Sequence, residues 1–567
     1  MNCFRLISLL LLALSIPAAN AKTPKGSKGK VKTHEVSVAD FGAHPDDGIN
    51  DFDALRKAAD YCRSHPGTTL RFLPGIYDII DSTALRIERE AISGAYGENV
   101  QGVLFRPDGP YVKALDLSDC RHTDVAARGA TLLLHGWYEA VCLDNAKDVT
   151  IDGLSLRYKR HPNTVGRIVN STPTHFDMWI DREKYPMIDS IVTGRTHFFD
   201  HVRNRLYTGW GTKKELISPE IIRIQSKRNP PVGDFCILRH GGHYRPAVMI
   251  RKASDITLRG VKIHSQPGMG IVGHRSSDIL LDNIQVVPEP GDVISTNTDA
   301  THFTSCSGRL DIINSFFKGQ GDDCTNIHNY YAKIYPVSPD AAELRVENAD
   351  LHALALDPPE RGDSMLIIDR NDMAEIARLR VKDVATSEKD WKTIVTFDRP
   401  IGMIDPEKHV ITNLTRFPVV TIAGNSVDSH LARAFLVKSP NVTIRGNHIT
   451  GSTQTAIKLG AELGWNESGP VDNVLIEDNY ISGCGYDASE KTPSCITLST
   501  EASQTPPFVN RNITIRNNVF DTDRPVAILL KDGADITISD NLFPQTLDNK
   551  ESAAPVTIEN CTNVTIK

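Results

Sequence analysis

Three aspartates with glycine neighbours are the residues of this sequence best suited to chemistry. Asp299 ends the segment Asn-Thr-Asp, and Asp322 and Asp323 end the segment Gly-Gln-Gly-Asp-Asp. Asp299 and Asp322 are 23 residues apart, the length of the repeat described below, so we expect them to be neighbours on successive turns of the fold. Acids this close repel, which raises the pKa of at least one of them. A protonated acid beside an ionised one supplies the proton donor and the water-activating base that glycoside hydrolysis requires.

Each aspartate also has a simpler interpretation. An Asp-Asp pair forms turns, Asp299 suits the corner of a repeat, and three carboxylates can bind Ca²⁺ through their oxygens. The one-repeat spacing favours catalysis, as do Gly319 and Gly321, which ease the backbone where adjacent acids share a cleft. We predict neither a metal nor a cofactor.

Five further residues are candidates for binding a sugar. Asn297, His302 and His328 lie close to the aspartates in sequence and carry groups that hydrogen-bond hydroxyls. Trp465 and Glu467 belong to a long polar loop, in which an aromatic face can stack on a sugar and a carboxylate can bind its hydroxyls. A structural role, in which the histidines hydrogen-bond internally and Trp465 packs its own loop, is the alternative for these side chains.

A short phrase recurs along the chain: a polar turn residue, an alternating apolar strand, then glycine or asparagine. Aligned copies lie 22 or 23 residues apart, as from Val420 to Val442 and from Ile256 to Ile279, and longer steps are interpreted as enlarged loops. One such unit cannot bury its apolar face alone, whereas stacked units form ladders about 4.8 Å apart. Asparagine or glycine after each strand tolerates the left-handed backbone of a tight corner. The sequence therefore predicts an all-β fold, a right-handed parallel β-helix, with a β-sandwich as the alternative. The copies begin at Asp148, Asp255, Asp278, Val420, Asn441, Asn473, Asn512, Asp535 and Asn563.

The segments without the phrase are assigned to a cap and two insertions. Residues 53–59 are interpreted as a helix that caps the solenoid, with Asp51 or Asp53 at its N-cap. Residues 158–245 and 333–418 carry strand patterns of their own, which predicts two inserted β-barrel-like domains, built alike, that wall a cleft. The predicted order is a signal peptide (1–21), a Lys-rich linker (22–34), the cap and first turns (35–157), the first insertion (158–245), the turns with the aspartates (246–332), the second insertion (333–418) and the last turns (419–567).

Composition and the N-terminal pattern exclude several classes of protein. The chain has 567 residues, of which 40% are hydrophobic and 23% charged, so it is not disordered, collagen-like or a coiled coil. A net charge of −7 provides no broad basic field for nucleic acid. Arg5, the apolar run 6–16 and Ala19-Asn-Ala form a signal peptide, too short to span a membrane. We expect an exported protein, periplasmic or extracellular, without a transmembrane segment.

The cysteines give little support for a metal site or a disulfide framework. Cys3 lies in the signal peptide, which leaves nine of the ten cysteines in the mature chain, and no Cys-x-x-Cys occurs. Cys484 and Cys495 are the closest pair and the one candidate disulfide.

The pattern Asn-Thr-Asp followed one repeat later by Gly-Asp-Asp resembles the polygalacturonases of glycoside hydrolase family 28. Their Gly-His-Gly and Arg-Ile-Lys motifs, the second of which binds the uronate carboxylate, are absent. The combination of signal, cap, β-helix, two insertions and the three aspartates resembles glycoside hydrolase family 110 more closely. These are bacterial exo-acting α-1,3-galactosidases, which remove terminal galactose from blood group B-type and linear glycans with inversion and need no cofactor.

That resemblance implies roles for the aspartates. Asp322 would be the general acid, and Asp299 with Asp323 would position the attacking water. The expected partner is an oligosaccharide or glycoconjugate with terminal α-galactose. Inversion is typical of carboxyl groups about 6.5–9.5 Å apart, so the side chains of acids on neighbouring turns are expected to diverge. A polygalacturonase-like endo-hydrolase, a Ca²⁺-dependent polysaccharide lyase and a glycan-binding β-helix without activity remain as alternatives.

Overall fold

The structure is a computed structural model of the chain. It describes residues 34–97, 109–186, 196–209, 211, 213–240, 244–346, 358–387, 392–487, 492–502, 504, 506, 509–544 and 555–567. The signal peptide and nearly all of the Lys-rich linker of the sequence analysis therefore lie outside the described residues. No helix among the described residues has both the length and the apolar character needed to cross a membrane.

Three long parallel sheets form a solenoid, which confirms the predicted parallel β-helix. The strands of the first sheet, in spatial order, are His34–Ser37, Thr68–Arg71, Arg121–Ala126, Lys147–Asp152, Ser254–Arg259, Ser277–Asp282, Ser307–Ile313, Val419–Ala423, Val442–Arg445, Val471–Glu477, Asn510–Arg516, Gly533–Ser539 and Thr562–Ile566. The strands of the second sheet are Gly75–Ile80, Ala130–His135, Ser155–Tyr158, Lys262–Ile263, Gln285–Val286, Phe316–Lys318, Ser426–His430, His448–Ser452, Tyr480–Ser482 and Val519–Asp521.

The third sheet completes each turn and carries one short antiparallel addition. Its parallel strands are Lys113–Asp116, Glu139–Asp144, Val248–Arg251, Ile271–His274, Thr301–Thr304, Thr325–Tyr330, Phe435–Val437, Ile457–Leu459, Ile496–Leu498, Ile528–Lys531 and Val556–Glu559. The two-residue strand Glu467–Ser468 pairs antiparallel with Thr325–Tyr330. Apolar side chains at alternate strand positions line the interior, as Ile256 and Leu258 do, because an isolated turn has no other place to bury them.

The strand register agrees with the repeat alignment made from the sequence. Ile256 pairs with Ile279, Val420 with Val442, and Ile513 with Ile536. The insertions leave this stacking intact, since Val149 pairs with Ile256 across the first and Leu310 pairs with Val420 across the second. The longer steps are therefore ordinary turns of the solenoid with enlarged loops.

The corner between the first and second sheets contains a buried stack that we call the asparagine ladder. Both the backbone N–H and the side-chain amide of Asn447 donate to Oδ1 of Asn479, at 3.0 and 2.9 Å, and the other members repeat this contact. The ladder comprises Asn425, Asn447, Asn479, Asn518 and Asn541.

At this corner the residue with a left-handed backbone is the one that precedes each asparagine of the ladder. Gly446 precedes Asn447 with a φ of 61°, and Asp478 precedes Asn479 with a φ of 58°. In the earlier copies of the phrase the terminal residue itself is left-handed, as in Gly260 with a φ of 60°. The asparagines that end the later copies thus satisfy buried backbone groups, and the preceding residue makes the tight bend.

Two helices lie at the N-terminal end of the described chain. The first, Phe52–Ser64, has Asp51 at its N-cap, although the Asp51 carboxylate accepts from the backbone of His44. The second, Ser82–Ile92, was not predicted from the sequence, and its N-cap carboxylate, Asp81, accepts from the backbone of residues 83 and 84. Short 3₁₀ helices occupy Val38–Phe41 and Leu463–Trp465.

The two insertions differ in architecture. The described strands of the first form a seven-stranded antiparallel sheet, whereas the six strands of the second close into a barrel. The expectation that both are built alike therefore does not extend to their strand arrangement. The strands of the first, in sheet order, are Arg205–Thr208, Thr196–Asp200, Phe235–Arg239, Asn163–Ser171, His175–Trp179, Ile221–Gln225 and Lys213–Ser218. Those of the barrel are Ala332–Ser338, Ala341–Arg345, Lys392–Phe397, Glu375–Ser387, Ser364–Asp369 and His409–Asn413.

Candidate active site

The three aspartates lie at the corner between the second and third sheets. Thr301 pairs with Thr325, which lies 24 residues further along the chain, on the next turn. Asp299 is therefore aligned with Asp323, and the alignment of Asp299 with Asp322 made from the sequence is wrong by one position. In the first sheet Arg259 pairs with Asp282 at the expected step of 23, whereas a β-bulge between Ser307 and Leu310 adds one residue to the turn that leads to Thr325.

Gly319 and Gly321 are each required at this corner, but for different structural reasons. Gly319 has a φ of +75°, which side chains rarely adopt. A Cβ on Gly321 would lie 2.4 Å from the backbone oxygen of Asn297 on the neighbouring turn. The glycines thus bring the two segments that carry the acids into backbone contact.

The carboxylates converge. One oxygen from each of Asp299, Asp322 and Asp323 lies within 4.8 Å of the others, which contradicts the expectation that the side chains diverge. Asp299 and Asp323 are 5% and 3% exposed, and Asp322 is more exposed than either. Asp322 is therefore the member of the cluster most accessible to a substrate.

Arg433 holds Asp323 in place. Oδ1 of Asp323 accepts from the backbone N–H of Arg433 at 2.8 Å and lies 3.0 Å from its Nε. Thr325 pairs with Phe435, so Asp299, Asp323 and Arg433 occupy equivalent positions on three successive turns. A guanidinium aligned with the carboxylates offsets part of their mutual repulsion.

Two histidines lie beside Asp299 on the outer face of the third sheet, because their strand neighbours Phe303 and Ile327 face the core. Nδ1 of His302 lies 2.7 Å from Oδ2 of Asp299, and its Nε2 lies 2.9 Å from Nε2 of His328. Nδ1 of His328 lies 2.8 Å from the backbone oxygen of Asn329. The histidines predicted to bind hydroxyls thus form a hydrogen-bonded series beside the acid cluster, in which the His302 side chain is 14% exposed.

A buried ion-pair network borders the histidines. Lys438 is fully buried, contacts the carboxylate of Glu467, and lies 3.0 Å from Oε2 of Glu462. Glu462 is also 2.5 Å from Nζ of Lys458, and Glu467 lies 3.6 Å from Nε2 of His328. Glu467, a predicted sugar ligand, is thus held by a buried cation and is 14% exposed.

The electrostatic environment separates the carboxylates into two groups. Burial is the largest influence on the pKa of Asp299 and raises it well above its usual range, and the charges of Asp322 and Glu467 add to the shift. Burial likewise raises the pKa of Asp323, although Arg433 opposes the shift. At Glu467 burial also acts upward, but His328 and Lys438 outweigh it and lower the pKa to about 2. Acids that hold a proton thus lie beside acids that stay ionised, the combination that acid–base chemistry requires.

The other candidate residues fall in contrasting environments. Asn297 is completely buried, and its amide donates to the backbone oxygen of Pro267, so its position does not suit the predicted contact with substrate. Trp465 is 61% exposed at the end of a 3₁₀ turn whose next residue, Asn466, accepts from the backbone N–H of Tyr331. The tryptophan therefore does not pack its loop against the solenoid. Cys484 and Cys495, the candidate disulfide, are free and buried.

Both insertions pack on chain segments that lead to these residues. An apolar cluster joins Phe199, Leu206 and Ile237 of the first insertion to Ile294 and Leu431 of the solenoid. A second cluster joins the barrel to the solenoid near Glu467, and its buried members are Tyr331, Ile368, Val410, Ala461 and Leu463. The aspartates and the two histidines lie between Ile294 and Tyr331 along the chain, so each insertion packs next to one end of the segment that carries them.

Three cations of the site, Arg433, Lys438 and Lys458, were not predicted from the sequence pattern. Arg433 contacts Asp323 from the next turn, but the two are 110 residues apart in sequence, because the whole second insertion lies between them. His328 and Lys438 are aligned on the same two turns. Continuing the repeat from the strand Thr325–Tyr330 into the strand Phe435–Val437 would have revealed both Arg433 and Lys438 as neighbours of the acids.

Within the described part of the chain, two groups of side chains have ligand atoms close enough together to hold a cation. They are the three aspartates and the set His302, His328 and Glu467. In both groups a protein cation is already in contact, Arg433 with Asp323 and Lys438 with Glu467. The donor sets thus suit charge pairing within the protein better than they suit a divalent ion.

Two protein-family models match parts of this chain, and one of them covers the aspartates. The model of glycosyl hydrolases family 28 matches residues 236–338, the range that contains all three aspartates, and the model of the right-handed beta helix region matches residues 410–567. Among solved structures, the family 28 exopolygalacturonase of Yersinia enterocolitica aligns with 94% of this chain and 78% of its own, at 11% identity and a TM-score of 0.41.

Curated relatives extend the similarity to most of the chain. The alpha-1,3-galactosidase A of Shewanella woodyi is 26% identical over 93% of this chain and 89% of its own. The alpha-1,3-galactosidase B of Bacteroides thetaiotaomicron is 26% identical over 94% and 90%, and the alpha-1,3-galactosidase A of Bacteroides fragilis is 26% identical over 90% and 87%. The predicted resemblance is confirmed, and the chain is a glycoside hydrolase built on a right-handed β-helix.

Proposed function

We propose that this glycoside hydrolase is an exo-acting α-1,3-galactosidase that removes terminal α-1,3-linked galactose with inversion. The observation that carries the proposal is the cluster of Asp299, Asp322 and Asp323, with one oxygen of each within 4.8 Å. The curated relatives that align over about nine-tenths of the chain are named for this activity. The proposed substrates are blood group B-type and linear glycans ending in galactose-α-1,3-galactose.

Asp322 is the general acid in this proposal. It is the most exposed of the three aspartates, so its proton can reach the glycosidic oxygen of a bound substrate. Asp323 and Asp299 hold the attacking water, and Arg433 favours the ionised form of Asp323.

The burial of Asp299 and Asp323 supports inversion. Retention needs a carboxylate that itself attacks the anomeric carbon, and its spacing from the acid is about 5–5.5 Å. The convergence of the acids is closer to that spacing than to the wider one typical of inversion. Both candidate nucleophiles, however, are at most 5% exposed and are tied to His302 or Arg433, so a small water molecule reaches them more readily than a sugar ring does. The anomer released first decides between the two outcomes.

Two observations favour attack on a terminal galactose over a polygalacturonate chain. The insertions pack on both sides of the segments that carry the acids, an arrangement suited to enclosing the end of a glycan. The cations near the acids are buried in ion pairs, with Arg433 15% and Lys438 0% exposed. Neither presents the exposed charge that binding a uronate carboxylate would need.

The test uses purified protein, with and without EDTA, on a galactose-α-1,3-galactose disaccharide and on polygalacturonate, with the anomers followed by NMR. We expect β-galactose to appear first and chelator to have no effect. Asp322→Asn is expected to slow cleavage by roughly 10²–10⁴-fold, the usual contribution of a general acid. The matched control is Asp311→Asn on the strand Ser307–Ile313 of the same turn, where Asp311 pairs with Arg309 at 2.6 Å.

Each alternative outcome points to a different function. Release of α-galactose first would refute inversion but retain the galactosidase. Cleavage of polygalacturonate alone would indicate a polygalacturonase, and loss of activity in EDTA would indicate a Ca²⁺-dependent lyase. Binding of the disaccharide without cleavage would leave a glycan-binding β-helix.

Export is part of the proposal and rests on the signal-peptide pattern of residues 1–21. The mature protein is expected in the periplasm or the medium with Lys22 as its first residue. Intact-mass measurement after cell fractionation checks this, and a cytoplasmic protein that retains residues 1–21 would contradict it.

A further inference from the structure

The series from Asp299 to the backbone of Asn329 has a defined hydrogen-bond direction. The backbone oxygen of Asn329 can only accept, so Nδ1 of His328, 2.8 Å away, carries a hydrogen. A neutral imidazole has one N–H, which leaves Nε2 of His328 as an acceptor. Nε2 of His302 lies 2.9 Å from that acceptor and must therefore donate to it.

The tautomer of His302 in turn determines which atom donates in its hydrogen bond to Asp299. With its hydrogen on Nε2, a neutral His302 presents a bare Nδ1 to Oδ2 of Asp299 at 2.7 Å. A hydrogen bond between these two atoms requires a proton on the Asp299 oxygen, or else an imidazolium at His302 or at His328. A neutral His302 facing an ionised Asp299 would leave two acceptors in contact, which is repulsive in a buried site.

The groups around the pair decide where the proton lies. Burial lowers the pKa of His302 and of His328 to about 4, so both rings are neutral near pH 7. Burial, together with the charges of Asp322 and Glu467, raises the pKa of Asp299. The charged or titratable groups that face Asp299 and the two histidines are His274, Asp322, Asp323, Arg433, Lys438 and Glu467.

We propose that His302 and His328 are positioning residues that hold a proton on Oδ2 of Asp299, so that Asp299 donates to His302 and Asp323 alone acts as the base. The proposal deepens the proposed function and rests on it for the catalytic roles. In the reaction the attacking water gives its proton to Asp323, Asp322 gives its proton to the leaving oxygen, and Asp299 keeps its own throughout. This differs from the role that the family resemblance implies for Asp299.

A proton held on Asp299 changes the net charge of the aspartate cluster. A neutral Asp299 removes one negative charge from a cluster whose oxygens lie within 4.8 Å of one another. An ionised Asp299 would restore that charge beside Asp322, and like charges held this close repel. A backbone oxygen sets the orientation of the His328 ring. Through His302, that orientation decides whether Asp299 carries a charge.

The direct test is long-range ¹H–¹⁵N NMR of protein labelled with ¹⁵N-histidine. The chain has 19 histidines, so His302→Gln and His328→Gln spectra serve to assign the two rings. We expect His302 to carry its hydrogen on Nε2 and His328 to carry it on Nδ1. An imidazolium at His302, or a hydrogen on its Nδ1, would overturn the proposal.

The kinetic test compares two substitutions at His328. Met cannot accept a strong hydrogen bond from His302, so in His328→Met the ring can place its hydrogen on Nδ1 and Asp299 ionises. The basic limb of the profile of kcat/KM against pH is then expected to move up by about one pH unit, a common effect of a nearby like charge. Gln retains an acceptor oxygen, so His328→Gln is expected to keep the wild-type profile.

A purely structural role for His328 predicts a different result. Both variants would then lose activity together, without a shift of the basic limb in His328→Met alone, and that result would overturn the proposal. Thermal unfolding of both proteins establishes that they fold. If the protein cleaves no galactoside, the proposed function fails, yet the NMR tautomers still decide where the proton lies.

Discussion

Two corners of the solenoid stack polar side chains on successive turns, but they do so in opposite ways. In the asparagine ladder each amide is both donor and acceptor, so Asn447 donates to Asn479 and accepts from Asn425, at 2.9 and 3.0 Å. At the corner of the aspartates, Asp299 and Asp323 are both acceptors when ionised, and they stack on each other. The hydrogen-bonding groups of the asparagine ladder are satisfied by the ladder itself. The carboxylates of Asp299 and Asp323 instead need bound protons and a cation from another residue.

The difference shows how a repeat can carry both stability and chemistry. A stack of identical amides closes its own hydrogen bonds and leaves nothing for a ligand. A stack of identical carboxylates is unstable until Arg433, His302 and bound protons compensate it, and those protons are the ones that chemistry can use. Stacked polar residues alone are therefore weak evidence for a site, whereas stacked like charges are stronger evidence.

The largest effect is expected from removing the cation of the catalytic corner with Arg433→Met. Loss of one partner of a buried ion pair costs about 3–5 kcal/mol of stability. Burial raises the pKa of Asp323 and Arg433 opposes that rise, so without Arg433 the Asp323 carboxyl stays protonated to still higher pH. The acid limb of kcat/KM is then expected to move to higher pH, and kcat to fall by roughly 10²-fold, the loss expected when a general base is impaired.

A surface ion pair provides the control for this change. Arg511→Met removes an exposed pair, in which Arg511 and Asp472 are 57% and 29% exposed, and is expected to cost about 1 kcal/mol or less. Chemical denaturation and pH–rate profiles of the two variants give the comparison. An unshifted acid limb in Arg433→Met would contradict the role given to this residue.

The second largest effect is expected from a substitution in the asparagine ladder, which should lower the stability of the protein but leave its activity unchanged. Asn447→Ala removes the amide that receives both the backbone and the side-chain N–H of Asn425 and that itself donates to Ile422. Buried groups left without partners cost about 1–3 kcal/mol each, so the thermal midpoint should fall clearly. The folded variant is expected to keep the wild-type kcat.

The end of the ladder supplies the matched control. Asn541 is only partly buried and is the last member of the ladder within the described part of the chain, so Asn541→Ala should lower the thermal midpoint less than Asn447→Ala does. Equal losses would show that the ladder is not cooperative, and a fall in kcat for either would refute the separation of the two corners.

The smallest effect is expected at Trp465, which belongs to neither stack. Its ring is 61% exposed beside the loop that carries Glu467, and an aromatic platform for a sugar is worth about 1–2 kcal/mol. Trp465→Ala is therefore expected to raise KM roughly 10-fold with little change in kcat. Trp179→Ala, in the first insertion, removes a ring that is 41% exposed and should leave KM unchanged. Equal KM values for the two variants would exclude Trp465 from substrate binding.

Much of the fold and part of the site follow from the sequence because they depend on local pattern. The copies of the repeated phrase align in the structure as they do in the sequence, from Val149 through Ile256 to Ile279. The three aspartates were found because they lie within a single step of that repeat. The same reasoning aligned Asp299 with Asp322, since the regular step does not reveal the extra residue that the strand Ser307–Ile313 takes up as a β-bulge.

The sequence by itself determined the β-helix, its cap and the segment that holds the acids, because apolar alternation and turn residues act over a few positions. Only the tertiary structure decided which charges surround those acids. Asp323 meets Arg433 and His328 aligns with Lys438 across the whole second insertion, because the solenoid resumes its stacking after it. The direction of the hydrogen bonds from Asp299 to Asn329 likewise exists only once two successive turns of backbone have fixed the two histidine rings.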